Sequence, residues 1–446
     1  MSVTTTYPGV YIEEDASPSI SVSNMATATP VFIGQFKDKN GVSLPSGECI
    51  LIENWLQFTT DYFYAPAVLA VTVDSNKDDS SSYSYTYNLK STTPTYPSLQ
   101  LQHYFQNGGG ACYILPLNDP ADTTELAALA EVIEQENDIT LLVSAYMTTN
   151  ERSNVYSNLL SLLGEGYNYF LIADSTDGSS PVELAANDKA AAYYPALVTT
   201  CKPQRPADTQ ISVSGYVDAD NSSGTEITTL DELKGVNVDL YNQISADITS
   251  WLANDFTLPP CAAMAGIYCA TDRARGVWKA PANVVVSAAS GVKTLITDEQ
   301  QGTMNNAGVN AIRYFTNRGL VVWGARTLAG TSTSSDTSWR YVPVRRLFNS
   351  AEADIKATMQ TMIFEPNNQP TWQKVSSAIE NYLYSLWRQG ALMGSKPEEA
   401  YFVQIGLNVT MTQDDIEQGK MIVQVGMAAA RPAEFIILQF TQDVAA

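Results

Sequence analysis

Apolar positions along the chain recur with two periods, and the change from one to the other marks out its elements. Residues 401–410 place Val403, Ile405, Leu407 and Val409 on one face and Gln404, Gly406, Asn408 and Thr410 on the other, which is the two-residue period of a half-buried strand. Met421, Val423, Val425 and Met427 repeat it over 420–427. The run 434–441 does not alternate. Its residues Glu434, Phe435, Ile436, Ile437, Leu438, Gln439 and Phe440 put apolar groups on both faces, so it needs cover on both sides, from its own domain or from a neighbouring molecule.

At the other end, Tyr7-Pro8-Gly9 forms a breaker, Val10, Tyr11, Ile12, Glu13 and Glu14 a short strand, and Asp15-Ala16-Ser17-Pro18 a second breaker. Such a strand cannot stand alone and must pair with a sheet of this chain or another. Short strands are expected over 27–34 and 49–52. Residues 74–98 set Tyr83, Tyr85 and Tyr87 against Ser84 and Thr86, a polar hairpin with one aromatic face, which is either a surface insertion or a surface for sugars or a partner.

From Cys112 the period lengthens. A strand over 112–117 precedes a helix with a capping box, Asp122-x-x-Glu125, and an apolar face of Leu126, Leu129 and Ile133. A strand over 139–144, a helix carrying Val155, Leu159, Leu162 and Leu163, and a strand over 169–174 follow. This alternation predicts right-handed crossovers and a largely parallel sheet with helices on its faces. Residues 201–258 interrupt it with a polar stretch and one amphipathic helix over 239–252, carrying Leu240, Ile244, Ile248 and Trp251. The α/β pattern resumes at Pro259-Pro260 and ends in a strand over 319–324. The Gly/Ser/Thr run 329–338 reads as a boundary. Beyond it a strand over 340–344, a helix capped by Asn349-x-x-Glu352, and a long helix over 371–388 stopping at Gly390 are expected.

The predicted fold class is α/β and α+β multidomain. Residues 1–25 form an arm belonging to a C-terminal core. Residues 26–330 form a middle α/β domain with β-rich insertions at about 60–100 and 201–258. Residues 331–446 form the α+β core, ending in the two-faced strand.

Charge and composition narrow the function. The 446 residues hold 25 Lys+Arg against 47 Asp+Glu, a net charge of -22, which argues against nucleic acid or an anionic membrane as main partner and suits a basic partner or high solubility. The cysteines, five and scattered in apolar contexts, read as reduced packing residues made in a cytoplasm. The opening Met1-Ser2-Val3-Thr4-Thr5-Thr6 has neither a basic nor an apolar signal region, and no apolar run approaches a membrane span. The expectation is therefore cytoplasmic assembly without a signal peptide, with any extracellular role reached by lysis or within a particle.

Enzyme chemistry lacks its residues. His103 is the only histidine, on an apolar helical face, and reads as packed rather than catalytic. Gly108-Gly109-Gly110 precedes a strand, whereas a phosphate cradle sits between a strand and the next helix, so these glycines form a turn. Asp74-x-Asn76-x-Asp78 and Asp218-x-Asp220 have the spacing of calcium loops but carry Asp79 and Ser223 where the turn glycine belongs. Arg273, Arg275, Arg345 and Arg346 read as ion-pair partners. No catalytic, cofactor or metal site is expected.

The stretches 7–14, Phe105 to Gly110, 259–268, 272–283, 308–310 through 323–327, 390–394 and 431–436 are distinctive as a set, and together they resemble the tail sheath proteins of contractile injection systems: contractile phage tails, R-type pyocins and antifeeding-prophage-like toxin-delivery particles. They span nearly the whole chain in the expected order, and the insertions are where the likeness fails. The length is closer to the toxin-delivery particles than to large phage tails.

The resemblance implies a structural subunit that polymerises into a helical tube of stacked hexameric rings around an inner tube and contracts to drive that tube through a target envelope. It implies that residues 10–14 and 434–440 leave their own subunit and add to neighbours' sheets, with hinges at 15–18 and 408–418. Partners would be further copies of the chain, the inner tube, baseplate and terminator proteins and sheath paralogues, with no nucleic acid, no membrane insertion and no cofactor. The acidic turn Asp414, Asp415 and Glu417 either docks on basic tube groups or is a solvated turn capped by Thr412-x-x-Asp415. A fibre or adhesin subunit, marked by the tyrosine hairpin, and a cofactor-dependent α/β enzyme are the competing functions.

Overall fold

A computed structural model describes residues 21–62, 67–77, 83–92, 96–217, 226–331 and 334–435. Packing divides them into two units. One takes the described residues up to Met25 with Ala351–Ala430; the other takes Ala26–Ser350 and the residues from Arg431. The expected strand over 10–14 lies outside the described residues, as does the expected strand over 434–441 beyond Phe435.

In the larger unit, the apolar runs 30–34, 112–116, 141–144 and 170–174 become strands buried on both faces, while the other strands are partly open, and its elements run in chain order. They begin with β1 (Pro30–Gly34) and β2 (Ile50–Ile52), then α1 (Trp55–Asp61), capped by Asn54. A hairpin, β3 (Val68–Lys77) and β4 (Tyr83–Thr92), leads to α2 (Tyr96–Gln106) and β5 (Cys112–Pro116). Strand and helix then alternate: α3 (Thr123–Glu134), β6 (Leu141–Ser144), α4 (Thr149–Leu159), β7 (Phe170–Asp174) and β8 (Ala190–Tyr194). Next come β9 (Leu197–Thr199), β10 (Ser212–Ser214), α5 (Leu230–Val236), α6 (Val238–Ala253), β11 (Phe256–Leu258) and α7 (Cys261–Arg275). The remaining elements are β12 (Ala289–Val292), α8 (Asp298–Asn306), β13 (Val309–Phe315), β14 (Gly319–Trp323) and α9 (Val342–Gln360), within which the division between units falls.

The main sheet has eight strands in the order β14-β13-β8-β7-β6-β1-β5-β2, parallel except for its antiparallel edges β2 and β14. Alternate residues feed two cores. Phe32, Ile114, Val143 and Ile172 meet α2 and α7, while Val31, Ile33, Leu142 and Leu171 meet α3 and α4. Small residues let α7 approach α2 closely. A Cβ at Gly266 would collide with the Tyr104 carbonyl oxygen, so glycine is required there.

The two insertions, distant in sequence, fold as one body. β10 pairs in parallel with β3, and α5 and α6 cover the β10-β3-β4 sheet. Its core joins Leu69, Val71 and Val73 to Leu230, Ile244 and Ile248, with Tyr85 and Tyr87 packed against it. This corrects one expectation, since the polar stretch holds two helices rather than one, and of the two readings of the hairpin it favours the insertion, with Tyr85 and Tyr87 directed at a core. β9, β11 and β12 form a small antiparallel sheet.

Two further expectations fail around α9. Residues 340–344 are not a strand; apart from a single bridge between Tyr341 and Arg326, the chain enters the helix at Val342, with Pro343 in the first turn, where its missing N–H costs nothing. Asn349 caps nothing. It sits mid-helix, accepts from Arg345 Nε at 2.7 Å and donates to the carbonyls of Asn168 and Tyr169, both at 3.3 Å. At α3, Asp122 caps as predicted, but Glu125 reaches the amide of Asn118 (3.0 Å) and Ser46 Oγ (2.8 Å) rather than closing a capping box.

The smaller unit centres on α10 (Gln369–Arg388), capped by Asn368, whose buried face of Trp372, Val375, Ile379, Leu383 and Leu386 is the predicted one. α11 (Pro397–Ala400), β15 (Tyr401–Gln404), α12 (Gln413–Glu417) and β16 (Gln424–Met427) follow. β15 ends well short of 410 because a turn with Asn408 at φ 60° takes the chain out of the sheet. Among the described residues no helix is long and apolar enough to cross a membrane.

Candidate assembly surface

β15 and β16 pair antiparallel, Tyr401 opposite Met427 and Val403 opposite Val425. Among the described residues neither strand has a second ladder partner. Tyr401 and Val403 are half-buried on the face toward α10, and Phe402 points the other way at 48% exposed. Its ring lies over Gly426, where a Cβ would collide with it. Met393, Leu407, Val409 and Ile422 are also exposed in this unit. Open strand edges beside exposed apolar side chains are a template on which a further strand can add.

The acidic turn is a capped helix. Thr412 and Asp415 form a reciprocal capping box on α12, and the Thr412 amide is the main reason the Asp415 carboxyl is held below its ordinary value. Asp415 is thus committed locally, whereas Asp414 and Glu417 face solvent.

In the larger unit, Glu434 is gripped. Arg326 meets its carboxylate in a bidentate pair, Nε to Oε1 and Nη2 to Oε2 both at 2.8 Å, and Tyr341 Oη donates to Oε2 at 3.0 Å. The next side chain, Phe435, is 72% exposed. On the N-terminal side, buried Arg346 donates to the Thr27 carbonyl at 2.9 Å and to both oxygens of Asp272. Sequence reasoning missed Arg326; the only signal was that it and Glu434 both stand in the stretches that carry the family likeness. Of the other arginines, Arg345 pairs with Asp188 at 3.6 Å and lies over the Trp339 ring, and Arg273 donates to the Gly108 carbonyl at 2.8 Å, with no ion pair among the described residues.

Among the described residues, the groups weighed for catalysis lie apart from one another. His103 is fully buried, its Nε2 on the Ser287 carbonyl at 3.0 Å, and burial pushes it down to about 4. All five cysteines are free and buried. Gly108 takes φ 90° in the turn between α2 and β5. Asp74 and Asn76 lie on β3, and among the described residues no acidic, His or Cys cluster is placed to hold a metal ion. A cavity of about 490 Å³, lined by Arg152, Asp174 and Lys293, opens at the carboxyl ends of β6 and β7, where α/β sheets commonly take ligands. Asp174, however, accepts from the Cys261 amide at 2.8 Å and so caps α7, whose own N-cap residue is a proline. Burial raises its pKa.

The larger unit thus carries a mainly parallel sheet with helices on both faces, and the smaller a two-stranded hairpin with no third strand among the described residues. Residues 128–328 match the phage tail sheath protein central domain and 334–443 the phage tail sheath C-terminal domain. The anti-feeding prophage helical sheath in its contracted state is 43% identical over 99% of this chain and 100% of that one, with a TM-score of 0.72. The sheath of the PVC extracellular contractile injection system, also contracted, is 37% identical over 99% of each chain, with a TM-score of 0.67. The tail sheath protein of Vibrio phage KVP40 is 24% identical over 187 residues, 41% of this chain, and the match spans about a quarter of that longer protein, 26%. The chain belongs to the phage tail sheath family, as a contractile sheath subunit.

Proposed function

We propose that this chain polymerises into the helical sheath of an extracellular, phage-tail-like injection particle and contracts around an inner tube to drive it through a target envelope. Its full-length likeness to the contracted sheaths of the anti-feeding prophage and PVC particles supports the particle class. The carrying observation is the β15–β16 hairpin, neither strand of which has a second ladder partner among the described residues, with Phe402 exposed beside it. Strands over 10–14 and 434–441 from neighbouring copies would complete that sheet, with main-chain hydrogen bonds supplying affinity and alternate side chains register. Such head-to-tail contacts do not close on themselves, so they generate a helix of subunits.

The division into an arm (1–25), a middle domain (26–330) and a tube-facing core (331–446) belongs to this proposal, as do baseplate, terminator and tube partners. Asp414 and Glu417, exposed on α12, are the groups available to a basic tube surface. The work of contraction is stored in subunit packing, so no catalysis is assigned to the chain. The fibre or adhesin reading loses its main support, because Tyr85 and Tyr87 pack on the insertion core. The test is negative-stain microscopy of the purified chain at rising concentration: hollow helical sheaths are expected, and a monodisperse species at every concentration would refute the reading.

A further inference from the structure

Resting on the strand-exchange reading above, we propose that Arg326 is a positioning residue that pins the root of the C-terminal arm. The exchanged strand then begins after Glu434, and Glu434 itself stays with its own subunit.

Arg326 is 7% exposed, and its backbone is fixed before its side chain acts. The side chain of Asn310, buried on β13, accepts from the Arg326 amide at 2.7 Å and donates to the Arg326 carbonyl at 2.8 Å. Each of the three guanidinium nitrogens is engaged. Nε and Nη2 hold Glu434, and Nη1 donates to the Asn305 carbonyl at the end of α8 at 2.8 Å. Both oxygens of Glu434 are held in turn, and Oε2 also accepts from the Tyr341 hydroxyl.

A planar, bidentate pair of this kind fixes direction as well as position, which a lysine point charge would not. The hold ends abruptly. Glu434 has a side chain 20% exposed and Phe435, the next residue, is 72% exposed. A root locked at this point lets the arm meet a neighbour from a set origin, so that less conformational entropy is lost on exchange. It also directs any pull on the arm into β13, through Asn310, and into α8, through Asn305.

The experiment compares full-length variants by sedimentation of polymer against protein concentration, and by hydrogen exchange of the 431–435 amides in the monomer. Glu434→Gln keeps the shape and removes the charge. We expect unchanged far-UV circular dichroism, amide exchange at least about tenfold faster over that segment, and a polymerisation threshold raised about tenfold or more, in line with loss of a charged hydrogen-bonded pair. The double variant Arg326→Met with Glu434→Leu leaves no buried charge unpaired, so it folds even if the single variant does not, and should polymerise as poorly. Wild-type thresholds in both variants would overturn the anchor. Ile437→Pro, which blocks main-chain pairing within the exchanged strand, separates the two ideas. Normal polymerisation of Ile437→Pro would sink strand exchange itself, whereas its failure beside a normal Glu434→Gln would sink only the anchor.

Discussion

Removing the carboxylate of Asp272 should unfold the larger unit far more readily than removing the whole ion pair to which it belongs. Asp272 and Arg346 are 5% and 3% exposed at their side chains, with Nη2 to Oδ2 at 2.7 Å. Arg346 Nη1 adds a bond to Oδ1 at 3.1 Å, its guanidinium lies 4.7 Å from the Tyr268 ring, and Thr27 Oγ1 donates to Oδ2 at 2.7 Å. Asp272→Ala would leave an arginine buried with only a carbonyl and a ring face, and breaking one side of a buried pair costs about 3–5 kcal/mol. Replacing both partners with apolar groups, Asp272→Leu with Arg346→Met, removes the uncompensated charge and should return to within about 1 kcal/mol of wild type. Urea denaturation followed by circular dichroism reads both. An Asp272→Ala cost below about 1 kcal/mol, or a double variant as unstable as the single one, would refute the reasoning.

Other outcomes follow from buried groups. His103 is held near 4 against an ordinary value near 6.5, so the unfolded chain binds its proton first and stability falls as pH drops through that window. Between pH 7.5 and 5.5 the loss attributable to His103 should be about 1.3 kcal/mol, and a His103→Gln variant should lack that part of the pH dependence in the same urea titration. Burial pushes Cys49 and Cys201 up to about 12 and the other thiols higher than usual, so a thiol reagent at pH 8 should label less than about one cysteine per native chain and all five after denaturation. Tyr87→Phe removes a 2.6 Å bond to exposed Asp247 and should cost no more than about 1 kcal/mol, whereas Tyr87→Ser also strips packing from the insertion core and should cost visibly more in thermal melts.

Elements whose signal is local were legible in the sequence. The strands β5, β6 and β7 and the helix α10 stand out because apolar residues at one period can be satisfied by one environment. The joining of the two insertions was not legible, because β10 pairs with β3 across a long separation and no short-range pattern encodes a partner. Local rules misled where tertiary structure outweighed them. The β-branched run Val342-Pro343-Val344 opens a helix, and Asn349, read as a cap, satisfies backbone carbonyls next to β7. At the assembly surface, the two-faced run after Glu434 announced a need for cover. The buried arginine that holds Glu434 lies 108 residues away and carried no mark of its role.

The central claim is that copies of this chain build a sheath by exchanging terminal strands. It is tested most directly by imaging polymers of the full chain beside a version lacking residues 436–446. The account predicts helical tubes from the former and a folded monomer that forms none from the latter; tubes of normal length from the truncated chain would contradict it.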